Sequence, residues 1–296
     1  MAVNISGLST EKRNELSKDI DLLSIDEILK LMNDEDLKVV DAIKSALPEI
    51  GILIDECVKT YRKGGRIIYI GAGTSGRLGL MDAVEVVPTY NSDRFVGLIA
   101  GGDNAFVKAV EGAEDSKELA VNDLKNIGLC DKDMVIGIAA SGRTPYVIGG
   151  LDYASEIGAS TGCLCCNFDT EIARHAKYPI ELSAGPEVVT GSTRLKSGTC
   201  QKIVLNMIST VTMIKVGKVY GNLMVDVKAT NEKLVERCRR IVMEATGCNH
   251  EKADEVLKET DNNCKQAILM ILLNIDKKEA EERLERSEGL LREALK

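Results

Sequence analysis

Five short apolar runs, separated for the most part by helical stretches, constrain the fold of this chain more than any other feature. They lie at 66–70, 95–100, 134–139, 161–166 and 178–182. Arg66-Ile67-Ile68-Tyr69-Ile70 is typical, β-branched and closed by a glycine-rich turn. Runs so short and so continuously apolar read as strands buried on both faces, as in parallel sheets. Helical stretches at 104–126 and 146–157 lie between them, so the pattern predicts an α/β sandwich with a mainly parallel sheet. Ligands of such sheets sit at the carboxyl ends of the strands.

Helices flank this core. Ser24 followed by Glu27 is a capping box that opens a first helix, with a second expected over 34–47 and a third over 48–63, stopped by Lys63-Gly64-Gly65. Beyond Ser197 the pattern is helical again, over 200–216 and 228–246, then in three amphipathic segments at 251–257, 263–273 and 277–295. The first 20 or so residues are polar and aperiodic, and read as an arm that orders only on a ligand or partner. The division expected is an arm with helices over 1–50, a ligand-binding domain over 51–220 and a helical region over 221–296.

Composition narrows the function. The 296 residues carry a net charge of -8, which argues against sequence-independent binding to nucleic acid. An anionic ligand must be held by local donors against that field. The nine cysteines show no paired spacing, and the closest group, Cys163, Cys165 and Cys166, has only two histidines in the whole chain to help it hold a metal. They read as small buried hydrophobes in a reducing compartment. With no signal-peptide pattern and no apolar run long enough for a membrane helix, a soluble cytoplasmic protein is expected.

Three polar loops follow strands. The first, Gly71-Ala72-Gly73-Thr74-Ser75-Gly76, has dinucleotide-fingerprint spacing, but no acidic residue closes the second strand to hold a ribose. Its Gly73, Thr74 and Ser75 suit a phosphate monoester at a helix start instead. The second, Ala140-Ser141-Gly142-Arg143-Thr144-Pro145, has the same chemistry, and the third, over 190–199, adds Ser192, Arg194 and Lys196. Together they predict a phosphosugar pocket.

These loops and their flanking strands resemble the sugar isomerase (SIS) family, which implies a three-layer sandwich. Within it, the stretches 70–79, 97–102, 110–115, 138–146, 187–198, 221–227 and 229–234 resemble the N-acetylmuramic acid 6-phosphate etherases over nearly the whole chain. That resemblance implies loss of D-lactate from C3 of the sugar, then addition of water, with no metal or redox cofactor, by a homodimer. Such chemistry needs a base for the C2 proton and an acid for the departing lactyl oxygen, roles that carboxyl groups can fill. Glu85, between valines in Val84-Glu85-Val86-Val87-Pro88, reads as either exposed or a buried acid. Glu111 and Glu114 are three apart on an expected helix and share a face. The resemblance places the catalytic carboxylates at Glu85, as proton donor, and Glu114, and leaves the base unassigned. The commoner family form around Glu85 is Ser-Glu-Cys-Pro-Pro, so its pocket differs here. An aldose–ketose isomerase, a phosphosugar sensor resembling glucokinase regulatory protein and a SIS-type transcription regulator are the competing readings. The regulator would need a DNA-binding helical domain and a basic face, neither of which the sequence offers.

Overall fold

The computed structural model describes residues 7–108, 110–229 and 231–296. All five expected strands form: β1 (Ile67–Gly71), β2 (Phe95–Ile99), β3 (Met134–Ala139), β4 (Ser160–Cys165) and β5 (Tyr178–Glu181). They make one parallel sheet in the order β2-β1-β3-β4-β5. β1 and β3 are fully buried, as their unbroken apolar runs require.

Helices cover both faces of the sheet. Neighbouring residues of one strand face opposite ways, and glycines mark where each helix comes close. A Cβ at Gly79 of α3 (Gly73–Tyr90) would strike Tyr69 and Ile138, whereas one at Gly137 would strike Val147 of α6 (Pro145–Ile157). α3 and α6 therefore lie on opposite faces, with α2 (Leu47–Arg62) reaching β4 on the α3 side through Leu53 and Gly162. Cys163, Cys165 and Cys166 are buried at β4 and its end, and burial pushes the Cys166 thiol up.

The chain divides into two units. The first holds the sheet, running up to Ala83 and then over Arg94–Ser209; the second comprises Val84–Asp93 and Thr210–Lys296. The second unit is helical, with α8 (Glu232–Thr246), α9 (His250–Glu259), α10 (Cys264–Leu273), α11 (Lys277–Arg286) and α12 (Leu291–Ala294). Asn231, Asn249, Asn263 and Asp276 cap α8 to α11 by accepting from backbone amides. Cys238, Ile241, Leu257, Ile268 and Leu269 are among the residues of its core.

The structure redraws several helices. α1 (Ile25–Ser45) is one helix of 21 residues rather than two, because no glycine or proline interrupts it; its Ser24–Glu27 capping box forms as expected. The stretch 104–126 is not one helix but α4 (Asn104–Val107), a tight turn at Ala113–Asp115, and α5 (Lys117–Asn126), which Ser116 caps. The last expected helix breaks at Glu288 and Gly289, both in the left-handed region. The N-terminal arm is not aperiodic over 7–22. It makes three short turns, and Ser9 donates from its amide and hydroxyl to Asn167 Oδ1, each at 2.8 Å. Residues 1–6 of that arm, and Thr230 of the motif at 229–234, lie outside the described residues.

Candidate active site

β1 and β3 are adjacent, but the chain leaves them in opposite directions, towards β2 and towards β4. Their carboxyl-end loops therefore part, and such a switch point is where open α/β sheets bind ligands. The loop at 71–76 runs into α3 and the loop at 139–144 into α6. Each ends at a helix start whose first amides have no partner within the helix, which favours an anion.

Glycine is required at two places here. A Cβ at Gly76 would lie 2.6 Å from the Gly71 oxygen, so only glycine lets the first loop turn this tightly. At Gly142, φ is +73° and a Cβ would meet Thr170 Cγ2 at 2.3 Å. Any side chain there would displace the second loop.

Four of the expected site residues, Gly73, Glu114, Ser141 and Arg143, line two clefts. One, of about 250 Å³, is formed by Ala72, Gly73, Arg77, Ala105, Glu111 and Glu114 among others. The other, of about 300 Å³, is formed by Ser141, Arg143, Asp169, Thr170, Glu171 and Arg174 with Gly7 and Leu8. The structure thus brings Gly73 to Glu114, and Ser141 to Arg143. Thr144 is the N-cap of α6 and makes no capping bond with its side chain, while Pro145 occupies the first turn. Thr74 is half-buried, its methyl near Gly198 of α7 (Lys196–Lys215).

Glu114 does not share a helix with Glu111. It sits in the turn Ala113–Asp115, which Gly112 enters at φ +74°, and both glutamates are exposed on the cleft. Arg77 sets the wall beside them. Its Nε donates to the Phe106 oxygen at 2.9 Å and its Nη2 to the Ala105 oxygen at 2.8 Å, pinning α4 to α3. Arg77 directly follows the first loop in sequence, but nothing there hints at this clamp, because its partners are backbone carbonyls 28 and 29 residues away.

Of the two readings left open for Glu85 the structure has the exposed one, on α3. Other expectations change. Lys196 does not offer its ammonium to a ligand in this structure. It is 2% exposed, and its Nζ donates to Glu35 Oε2 at 2.6 Å. The amino end of α7 is likewise occupied, since the buried Glu187 carboxylate accepts from the amides of Lys196 and Ser197 and from the Ser197 hydroxyl, each at 2.9 Å. The third loop is therefore built around an internal anion, and Ser192 stands half-buried within it. Ser75 is buried too, and its hydroxyl donates to Gln201 Oε1 at 3.0 Å.

Comparison with known proteins gives this geometry a context. Residues 49–155 match the glucokinase regulatory protein N-terminal SIS domain and residues 112–211 the SIS domain. An N-acetylmuramic acid 6-phosphate etherase of Exiguobacterium sp. is 58% identical over 290 residues, covering 97% of this chain and 99% of the relative. N-acetylmuramic acid 6-phosphate etherase 2 of Lactiplantibacillus plantarum is 54% identical, covering 99% of this chain and 100% of the relative. Among solved structures, a phosphoheptose isomerase from Francisella tularensis shares the fold with a TM-score of 0.51 at 15% identity, covering 65% of this chain and all of its own.

Proposed function

The chain belongs to the N-acetylmuramic acid 6-phosphate etherase family, and from that premise we infer how its own residues divide the work. It is a carbon–oxygen lyase that cleaves the D-lactyl ether of N-acetylmuramic acid 6-phosphate, leaving N-acetylglucosamine 6-phosphate and D-lactate. Ring opening exposes the C1 aldehyde, which acidifies the C2 proton. A carboxylate removes that proton and a carboxylic acid protonates the lactyl oxygen as it leaves C3. Water then adds to the unsaturated intermediate at C3.

The observation that carries the assignment of residues is the cleft holding both Gly73 and the Glu111–Glu114 turn. A sugar whose phosphate meets the loop at 73–75 has its carbon atoms within reach of that turn. Glu114 is the catalytic carboxylate of the turn, and Glu85 is the second, by resemblance to the family. The phosphate takes donors from the loop at 73–75 and from Ser141, Gly142, Arg143 and Thr144. Arg143 and Arg174 supply local positive charge in a chain of net charge -8. Neither Lys196 nor the capped start of α7 takes part directly; both hold the third loop in place.

The active enzyme is a cytoplasmic homodimer. Val84 beside Glu85 is 61% exposed, and Val107, close before Glu111, is 80% exposed. Large apolar side chains left in water beside both acids suit burial by a second copy, which would also keep bulk water from the reacting centre. All nine cysteines stand as free thiols, in keeping with a reducing compartment.

Incubation with N-acetylmuramic acid 6-phosphate should release D-lactate and give no ketose. Ketose formation without lactate would instead establish the isomerase reading. Ser141→Ala should raise KM about tenfold or more through loss of one bond to the phosphate, with a smaller change in kcat. Sedimentation should give twice the mass of one chain.

A further inference from the structure

Gln201, on the second turn of α7, is 1% exposed. Its Oε1 accepts from the Ser75 hydroxyl at 3.0 Å, while its Nε2 is buried and has no acceptor among the described residues. A buried donor left unpaired is costly, and native structures rarely carry one without a reason. A second consequence follows for Ser75. Its hydroxyl has one proton, and that proton is committed to Gln201. A phosphate dianion offers only acceptors, so Ser75 as it stands has nothing to donate to one.

Turning the Gln201 amide over resolves the second difficulty at no evident internal cost. Nε2 then donates to Ser75 Oγ, and the Ser75 proton is released towards the ligand. Oε1 becomes the unpaired atom in place of Nε2, so one buried amide atom lacks a partner in either orientation. The ligand decides between two orientations of similar internal energy. Among side chains of this size, glutamine alone can present a donor or an acceptor in one place. An ionised glutamate only accepts, and methionine does neither.

We propose that Gln201 is a positioning residue whose amide turns over when the phosphosugar binds, freeing the Ser75 hydroxyl to donate to the phosphate. The proposal rests on the reading of Ser75 as a phosphate donor.

The test is a double-mutant cycle on the full chain, reading KM for N-acetylmuramic acid 6-phosphate and Ki for inorganic phosphate. Gln201→Glu holds the Ser75 proton permanently and should raise both constants about tenfold or more, with kcat changed far less. Ser75→Ala should raise them similarly. In the Ser75→Ala background, Gln201→Glu should have a clearly smaller effect, because no proton is left to hold and only the repulsion between its carboxylate and the phosphate remains. If Ser75→Ala leaves both constants unchanged, the phosphate-donor reading itself fails. If Ser75→Ala weakens binding but Gln201→Glu does not, or if the two effects simply multiply, the role of Gln201 is overturned while that reading stands. Should Gln201→Glu not fold, the wild-type protein serves. The side-chain amide resonances of Gln201, assigned by their loss in Gln201→Met, should shift when inorganic phosphate is added as Nε2 gains an acceptor. Resonances that stay in place at saturating phosphate would overturn the proposal.

Discussion

Glu114→Gln should cut the release of D-lactate by about 10²- to 10⁴-fold while leaving the affinity for N-acetylmuramic acid 6-phosphate within a few-fold. Glutamine keeps the size and the hydrogen-bonding reach of glutamate, so the turn Ala113–Asp115 and the cleft it lines should persist. What it loses is the ability to take or give a proton. Binding, by contrast, draws mainly on the phosphate loops, which this substitution does not touch. The measurement pairs a lactate assay with equilibrium binding, and full activity in the variant would remove Glu114 from the mechanism. Glu111→Gln is the matched control. Glu111 lines the same cleft but precedes the left-handed Gly112, whereas Glu114 follows it. A small effect at Glu111 beside a large one at Glu114 would show that the turn selects one carboxylate of the two.

The sheet was legible because its strands are signalled locally. Five short, mainly apolar runs stand out from their polar surroundings, and each becomes a strand within a residue or two of its expected ends. The loops at 71–76 and 139–144 were legible for the same reason, since their chemistry is written in consecutive residues. What the sequence did not reveal depends on partners far along the chain. Lys196 reads as a ligand cation beside Ser192 and Arg194, yet its charge is met by Glu35, 161 residues away. Glu35 itself sits mid-helix between Asp34 and Asp36, and nothing local distinguishes the one buried acid from its two exposed neighbours. Glu187, just ahead of the third loop, carries no local signal of its own and proves to be the cap of α7. The break in 104–126 was missed because α4 is held from outside, by Arg77, rather than by its own helical pattern.

Lys196→Met should destabilise the sheet-containing unit by about 3–5 kcal/mol, the usual result of removing one partner from a buried ion pair. Both side chains are 2% exposed, so the Glu35 carboxylate would be left with Asn14, at 2.8 Å, and the half-exposed Lys38 as its remaining partners. The pair cross-links α1 to α7, and Asn14 extends the link to the N-terminal turns and to the Pro186 oxygen. Burial alone would raise the Glu35 carboxyl, but hydrogen bonds from Lys196, Lys38 and Asn14 outweigh it and hold the group below its ordinary value. In the wild type this contribution is present above about pH 4 and is lost as the pH falls through the lowered folded value. In the variant the carboxyl loses the foremost of the partners that lower it and rises from its wild-type value, so the loss is felt at neutral pH and shrinks once Glu35 is protonated in acid. The gap in melting temperature between the two proteins should therefore be widest near neutrality and narrow below about pH 4. A gap that does not change with pH would mean that lost packing, not the lost charge partner of Glu35, causes the instability. Adding Glu35→Leu to Lys196→Met should recover most of the loss at neutral pH, because replacing both partners leaves no buried charge. Lys196 and Gln201 stand on the opening turns of one helix, and Gln201 holds Ser75. A loosened α7 should thus also raise KM for the phosphosugar well below the melting temperature, and the double replacement should bring it back.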